Sequence, residues 1–251
     1  MTLQDFFTAH PKAALAFSGG VDSAYLLYAG LQSGADIRPY YVKSQFQPRF
    51  EFEDAMRLCR ELGAEPRVLP LDALCAQAVA QNGADRCYHC KINIMSTILR
   101  AAAEDGYPLL LDGTNASDDA GDRPGMRALR ELEILSPLRL CGLTKPEIRR
   151  LSREAGLFTW DKPAYACLAT RVKTGELITN ERLEAIEESE DYLFSRGYTD
   201  FRVRTSGKAA LLQFPADQIA RAKAEEREIA ERLGSFFETV SIDPKERTRG
   251  L

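Results

Sequence analysis

The chain has 251 residues, 45% of them hydrophobic, with 33 basic and 37 acidic side chains and a formal net charge of −4. This composition supports a packed core and argues against general disorder. The mild acidity gives no global signal for nucleic acid, and no apolar run approaches the roughly 20 residues that a membrane-spanning helix needs. The length allows one large domain, or one of ordinary size with a small companion. The polar N-terminus lacks the apolar stretch of a signal peptide, so a cytoplasmic enzyme is expected, with neither a membrane nor a nucleic acid as partner. Six cysteines in a chain of this size do not make a disulfide scaffold; they are core residues, metal ligands or nucleophiles. With only His10 and His89 present, a histidine-rich metal site is excluded.

Residues 3–9 read as an opening helix, and the apolar run 13–17 as a buried strand. Ser18-Gly19-Gly20 follows at once, then Val21-Asp22-Ser23 and the helix formers of residues 24–31. A strand, a glycine turn and a helix start make a phosphate site. Glycine lets the backbone approach an anion, and the unpaired N–H groups of the first helical turn point at it. The Walker loop is longer and ends in a lysine that is missing here. Asp22 makes sense beside phosphates if a cation such as Mg²⁺ bridges it to their oxygens. The same residues also fit a plain strand–turn–helix with Asp22 in the first helical turn.

Residues 37–42 form a second strand. Residues 51–62 are helical, with Phe52, Met56, Cys59 and Leu62 on one face, and Gly63 stops them; Cys59 belongs to the core. Residues 67–71 make a third strand and 72–81 a short helix whose Cys75 is also assigned to the core. After the turn at Asn82-Gly83, Arg86-Cys87-Tyr88-His89-Cys90-Lys91 opens a helix reaching about residue 103. Residues 109–111 are a fourth strand, capped by Asp112-Gly113-Thr114-Asn115 and followed by a polar loop over 116–125. Its Asp118, Asp119 and Asp122 suit a metal or, more simply, a solvated loop. Thr144 and Glu147 form a capping box for a helix that Gly156 ends. Strands alternating with helices imply a parallel sheet, with ligands beyond the carboxyl ends of its strands. The Ser18-Gly19-Gly20 and Gly113-Thr114-Asn115 turns therefore belong on one rim. From about residue 179 the pattern changes: a helix over 181–196, strands over 200–204 and 209–214, a helix over 216–233 and a last strand over 236–242. This reads as a small α+β domain.

Cys87 and Cys90 form a C-x-x-C that fits a redox pair, part of a metal site, or two ordinary thiols at a helix start. Cys167 lies between Lys162 and Arg171, an electropositive setting that favours thiolate. Arg202 and Arg204 are two apart on a strand and so share a face; paired guanidinium groups suit a phosphate, or a solvated strand edge. Trp160, the single tryptophan, suits stacking or packing.

Ser18-Gly-Gly-Val-Asp-Ser23 resembles the signature of the PP-loop ATP pyrophosphatase superfamily, whose members cleave ATP between its α and β phosphates and adenylate a substrate oxygen. A longer series of matches is similar to the LarE family of ATP-dependent sulfur transferases, which thiolate the precursor of the nickel-pincer nucleotide cofactor. It comprises Arg86-Cys-Tyr-His-Cys-Lys91, Asp112-Gly-Thr-Asn115, Asp122-Arg-Pro-Gly125, Ser136-Pro-Leu138, Leu143-Thr-Lys145 with Glu147-Ile-Arg149, and Trp160-Asp-Lys-Pro163 leading to Ala166-Cys-Leu-Ala-Thr-Arg171. Gly175, Ile178-Thr179 and Arg202-Val-Arg204 extend it, so that it spans residues 12–205.

The resemblance implies an α/β fold: a parallel-sheet PP-loop (adenine nucleotide alpha hydrolase-like) domain over residues 1–175 and a small α+β C-terminal domain over 176–251. It implies an enzyme that adenylates the carboxylate of a pyridinium-3,5-biscarboxylic acid mononucleotide, releases pyrophosphate and makes a thiocarboxylate with sulfur delivered at Cys167. ATP and Mg²⁺ are the implied cofactors. The nucleotide-site residues are Ala16, Phe17, Ser18, Gly19, Gly20, Asp22, Ser23, Gly113, Thr114, Arg171, Arg202 and Arg204. The family has two forms. In one the cysteine gives up its own sulfur; in the other three cysteines hold a [4Fe–4S] cluster whose fourth iron carries sulfide. Cys87, Cys90 and Cys167 match the three-cysteine form, with a sulfide donor as partner and a homo-oligomer as the expected assembly. Val172-Lys173-Thr174, and Ala210-Leu211-Leu212-Gln213 in place of the family's Ala-Arg-Ile-Glu, depart from the pattern and leave the exact carboxylate open. Competing readings are an amidating PP-loop ligase, which needs no cysteine, and an ATP- or cluster-binding sensor without turnover. A tRNA-thiolating enzyme is disfavoured by the absence of a dense basic patch.

Overall fold

Ala13, Ala14 and Leu15 are fully buried, and the strand that carries them is one of the two inner members of a four-stranded parallel sheet. The computed structural model describes residues 1–118 and 124–247. In chain order the elements are α1 (Leu3–Ala9), β1 (Lys12–Ala16), α2 (Val21–Gln32), β2 (Asp36–Lys43), α3 (Arg49–Leu62), β3 (Arg67–Pro70), α4 (Gln77–Ala80), α5 (Arg86–Glu104) and β4 (Leu110–Leu111). Next come α6 (Pro124–Glu131), α7 (Pro137–Leu140), α8 (Lys145–Glu154), α9 (Asn180–Ser195), β5 (Arg202–Ser206), β6 (Ala209–Gln213), α10 (Ala216–Ala224), α11 (Glu226–Leu233) and β7 (Thr239–Ile242). They fall into two compact units: Met1–Asp72 with Cys87–Lys162, and Ala73–Arg86 with Pro163–Leu251.

The first unit is an α/β layer structure with strand order β3-β2-β1-β4, every pair parallel. Alternation along β1 decides its two cores. Ala13 and Leu15 join Phe7, Leu27, Leu58 and Tyr41 beneath α1, α2 and α3. Ala14 joins Tyr40, Val42, Met95, Ile98 and Leu129 beneath α5 and α6. Helix boundaries follow local chemistry. Thr2 and Asp5 form a reciprocal capping box at α1, and Thr144 and Glu147 do the same at α8. Gly63 ends α3 in the left-handed region at φ 65°. No helix among the described residues is long and apolar enough to cross a membrane.

In the second unit β5 runs antiparallel to β6, and β6 pairs parallel with β7. An isolated bridge from Val172 to Thr205 adds a partial fourth strand beside β5. Leu193, Tyr198, Phe201, Val203, Leu212, Phe214 and Leu233 pack the core.

Five expectations change. The helix over 72–81 is a 3-10 turn, Ala73–Cys75, followed by the short α4. Cys75 is consequently exposed and is not a core residue. Helices α6 and α7 occupy ground read as loop or left unread, each starting at or beside a proline. β5 begins two residues late because Asp200 takes a positive φ of 49°, which breaks the extended run. The helix over 216–233 is two helices, divided at Glu225, where ψ rises from the helical value to 4°.

Gly30 tests how tightly α2 lies on β2. A Cβ there would come within 2.1 Å of Ile37 Cδ1 and 3.1 Å of Phe7 Cζ. Gly30→Ala is expected to lose about 1–3 kcal/mol in urea unfolding, through overpacking. Adding Ile37→Val removes the clashing methyl and should restore part of the loss; strict additivity of the two changes would contradict the contact.

Candidate active site

The loop after β1 is shaped by its own hydroxyls. Ser18 Oγ and Ser23 Oγ are 3.1 Å apart, and the Ser18 N–H donates to Ser23 Oγ at 3.3 Å. Ser23 Oγ lies 3.2 Å from the Gly20 carbonyl, to which it donates. Gly19 takes a φ of 73°, and a Cβ there would stand 2.7 Å from Ala55 Cβ of α3, so both conformation and space require glycine. Gly20 caps α2 without a side-chain bond, which leaves the helix's first N–H groups for an anion.

The turn after β4 reaches the same place. A Cβ on Gly113 would lie 3.0 Å from the Ser23 backbone nitrogen, so the second glycine permits close approach to α2. Asp112, buried at 4% exposure, organises this turn. Its carboxylate accepts from the Thr114 hydroxyl at 2.5 Å and from the Ser136 hydroxyl at 2.6 Å. Lys91 Nζ lies 3.9 Å from it. Ala16, Ser18, Asp22, Ser23, Lys91, Asp112, Gly113 and Thr114 thus line one cavity of about 340 Å³. Phe17 faces the core, its N–H donating to the Tyr40 carbonyl at 3.0 Å.

The loop contains no lysine, yet α8 supplies one. Lys145 Nζ donates to Asp22 Oδ2 at 2.6 Å, and Asn115 Nδ2 donates to Oδ1 at 3.3 Å. Burial pushes the Asp22 carboxyl up, with Lys145 opposing that shift. Lys145 was not assigned to the site from the sequence; its place in Leu143-Thr-Lys145 was the available signal. Ser136 is a second such residue, since it braces Asp112. The Asp118 carboxylate accepts the Asn115 N–H at 2.8 Å, so it closes a turn. Asp119, Asp122 and Arg123 lie outside the described residues. Arg153 sits over the Trp160 ring at 5.0 Å.

In the second unit, the segment carrying Cys167 has only one 3-10 turn, Leu168–Arg171, and guanidinium groups hold its carbonyls. Arg202 donates to Ala164 O at 2.8 Å, Arg171 to Ala166 O at 2.8 Å and Arg86 to Ala169 O at 2.8 Å; Arg204 donates to Thr170 O. Thr170 closes the turn by donating its N–H and hydroxyl to Cys167 O at 3.0 and 2.8 Å. Arg171 is wholly buried and pairs through Nε and Nη2 with Glu190 at 2.8 and 3.3 Å. Glu190 also accepts the Val203 N–H at 3.0 Å and the Tyr165 hydroxyl. Burial works against the charge on Arg171, and Glu190 more than offsets it, so its pKa is raised. For Arg202, burial, then Arg171 and Arg247, outweigh the opposing pull of Glu190 and Asp200 and bring it down to about 10. Arg202 is buried, whereas Arg204 is exposed.

Cys87 and Cys90 belong to the first unit and Cys167 to the second; Cys87 is exposed, the other two half-buried. Among the described residues neither unit by itself gathers three His, Cys, Asp or Glu side chains able to hold a metal. Cys59 is in the core, where burial pushes its thiol up to about 12.

No family model matches the chain. It is 34% identical over 220 residues to an uncharacterized protein of Synechocystis sp., which covers 86% of this chain and 81% of that protein. It is 30% identical over 235 residues to the pyridinium-3,5-bisthiocarboxylic acid mononucleotide synthase of Lactiplantibacillus plantarum, covering 92% and 85% respectively. The tRNA-specific 2-thiouridylase MnmA of Thermotoga maritima is 22% identical over 188 residues, covering 58% of this chain and 52% of that enzyme.

Two substitutions test the electrostatics. Glu190→Gln leaves Arg171 buried without its counter-charge and should cost about 3–5 kcal/mol in denaturant unfolding; a loss below 1 kcal/mol would contradict the buried pair. Lys145→Met removes the group that opposes the upward shift of Asp22. A carboxyl whose folded pKa is raised loses stability as pH climbs from its unfolded value to its folded one. The deficit of Lys145→Met should therefore be small near pH 3, grow through the carboxylate range and reach about 1–3 kcal/mol by pH 7. A deficit independent of pH would contradict the assignment.

Proposed function

The chain belongs to the LarE family of ATP-dependent sulfur transferases, and we propose that it converts the carboxylate of a pyridinium biscarboxylic acid mononucleotide to a thiocarboxylate. The observation that carries this reading is the cavity of the first unit. It joins a glycine–serine loop, an open helix N-terminus, Asp22 and Lys145, the fittings for a triphosphate in a loop without the Walker lysine.

In the proposed reaction a carboxylate oxygen attacks the α-phosphorus of ATP. The bond to the bridging oxygen of the β-phosphate breaks and pyrophosphate leaves. A carboxylate resists attack because it is anionic and its leaving group is poor; as an acyl adenylate it is electrophilic, and AMP departs readily. Exogenous sulfide delivered at Cys167 then attacks the acyl carbon, the carbon–oxygen bond to AMP breaks, and the thiocarboxylate and AMP are released. In this reading the Ser18–Ser23 loop and the α2 N-terminus hold the phosphates. Lys145 and Lys91 offset their charge. Asp22 is the carboxylate that Mg²⁺ would share with a phosphate oxygen. Arg171, Arg202 and Arg86 keep the Cys167 segment in place through its carbonyls.

We assign Cys87, Cys90 and Cys167 as the three thiols that would hold a [4Fe–4S] cluster, one short of the usual four. When bound, such a cluster supplies an open iron for an exogenous sulfide. The thiols are also the part of the site that an amidating ligase would not need.

With ATP and the biscarboxylate mononucleotide, Cys167→Ser should retain pyrophosphate release and lose thiocarboxylate formation at least 100-fold, as read by mass spectrometry. Asp22→Asn should lose both. Thiocarboxylate formation at the parental rate in Cys167→Ser would contradict the role of that cysteine.

A further inference from the structure

Among the described residues Asn82 is the one buried residue other than glycine with a positive φ: φ is 54° and the residue is 1% exposed. Asparagine tolerates the left-handed region better than most side chains, yet such a conformation persists only where the surroundings require it. Here every polar group of Asn82 is engaged. Its Nδ2 donates to the Val172 carbonyl at 3.3 Å and to the Lys173 carbonyl at 2.9 Å, and its Oδ1 accepts from Arg86 at 2.5 Å. Its N–H donates to the Val79 carbonyl at 3.1 Å, and its carbonyl accepts the Gly175 N–H at 2.8 Å. Turning the amide over would set oxygen against two carbonyls and nitrogen against a guanidinium, so its partners fix its orientation.

These bonds belong to a clamp that residues 80–86 place on the stretch 169–178. The Ile178 N–H donates to the Ala80 carbonyl at 2.8 Å, and Arg86 donates to the Ala169 carbonyl at 2.8 Å. On its other side the stretch leans on β5: the Lys173 N–H donates to the Thr205 carbonyl at 3.0 Å, and Val172 bridges to Thr205. The stretch is thus held from both sides like an inner strand, but on the clamp side one amide side chain stands in for a strand's N–H groups. Val172 is buried, and backbone carbonyls in such a place need donors. The clamped stretch begins two residues after Cys167. Cys167 is tied to it through its own carbonyl, which accepts the Thr170 N–H at 3.0 Å and the Thr170 hydroxyl at 2.8 Å. A shift of the clamp therefore passes directly to the cysteine.

We infer that Asn82 is a positioning residue for Cys167, acting through the clamped stretch. Its amide gathers two carbonyls and one guanidinium at a single point, and its left-handed backbone is what lets one residue reach all three while its own carbonyl takes the Gly175 N–H. All of these residues lie in the second unit, with Cys167. Asn82 therefore serves the sulfur step and not the activation of the carboxylate, which the proposed reaction assigns to the cavity of the first unit. The step that Asn82 serves is taken from the sulfur-transferase reading; the contacts are independent of it.

The test uses two variants of the full chain. Asn82→Gly adopts the same φ without strain and removes only the side-chain bonds. Asn82→Asp keeps the shape and the acceptor for Arg86 but turns an oxygen toward the two carbonyls. With ATP and the biscarboxylate mononucleotide, both variants should release pyrophosphate in the first turnover within about twofold of the parent. Thiocarboxylate formation should fall about 10- to 100-fold, the loss expected when a reacting group is displaced by roughly an ångström. Hydrogen exchange followed by mass spectrometry supplies a second readout. In Asn82→Gly the amides of Thr170, Gly175 and Ile178 should exchange about tenfold faster, and those of β6 at the parental rate. Thiocarboxylate formation at the parental rate, an equal loss of pyrophosphate release and thiocarboxylate, or unchanged exchange of the Thr170 amide would overturn the inference. A parent that forms no thiocarboxylate would instead refute the sulfur-transferase reading, and the exchange of Thr170 would still decide whether Asn82 holds the turn of Cys167.

Discussion

A single buried ion pair, Arg171 with Glu190, fixes the part of the molecule that carries the proposed sulfur chemistry. Both side chains are removed from water, a cost that is recovered only when each remaining donor and acceptor is matched. Here they are matched. Glu190 receives two nitrogens of Arg171, the Val203 N–H of β5 and the Tyr165 hydroxyl. Arg171 passes its remaining nitrogen to the Ala166 carbonyl and the Thr170 hydroxyl. One carboxylate on α9 thereby ties a strand, a tyrosine and the two residues flanking Cys167 and its turn into one network. Such a network sets geometry more than it adds net stability. That suits a segment with little regular backbone pairing, whose cysteine, in the proposed reaction, delivers sulfur to an acyl carbon in a defined position.

The proposed phosphate cradle of the first unit depends on one buried acid, Asp112, and one half-buried acid, Asp22. Asp112 and Asp22 are the two carboxylates of its cavity wall with the most structured surroundings, and their roles differ. Asp112 is enclosed by the hydroxyls of Thr114 and Ser136 and serves the turn. Asp22 is held by Lys145 and Asn115, which come from separate segments, so its charge is balanced by groups that a polyphosphate and its cation can reorganise. The parallel sheet brings these segments to one rim because β1 and β4 are neighbours and both end there.

Much of this was legible in the chain. The strand–glycine–helix junction at Ser18–Ser23, the α/β alternation and the capping box of Thr144 and Glu147 follow from short-range chemistry, and the PP-loop fold and the enzyme class agree with the relatives. What escaped is long-range. Lys145 reaches Asp22 across 123 positions of sequence, and no local pattern announces that pairing. Arg202 and Arg204 read as a pair on one strand face, suited to a phosphate or a solvated edge; that Arg171 and Arg202 are buried and donate to carbonyls is decided by tertiary packing. Cys75 read as core because a continuous helix was expected, and the break at residues 75–77 turned it outward. The helix at Pro124–Glu131 lay behind a run of polar and glycine residues that masks its start.

The central claim is that the carboxylate oxygen itself attacks the α-phosphorus. The direct measurement uses an acceptor whose carboxylate carries ¹⁸O, with ATP in ordinary water, followed by mass spectrometry of the AMP released. Formation and thiolysis of an acyl adenylate predict AMP with one ¹⁸O atom for each thiocarboxylate formed, together with unlabelled pyrophosphate. Unlabelled AMP, or ADP with phosphate as the products, would contradict the account.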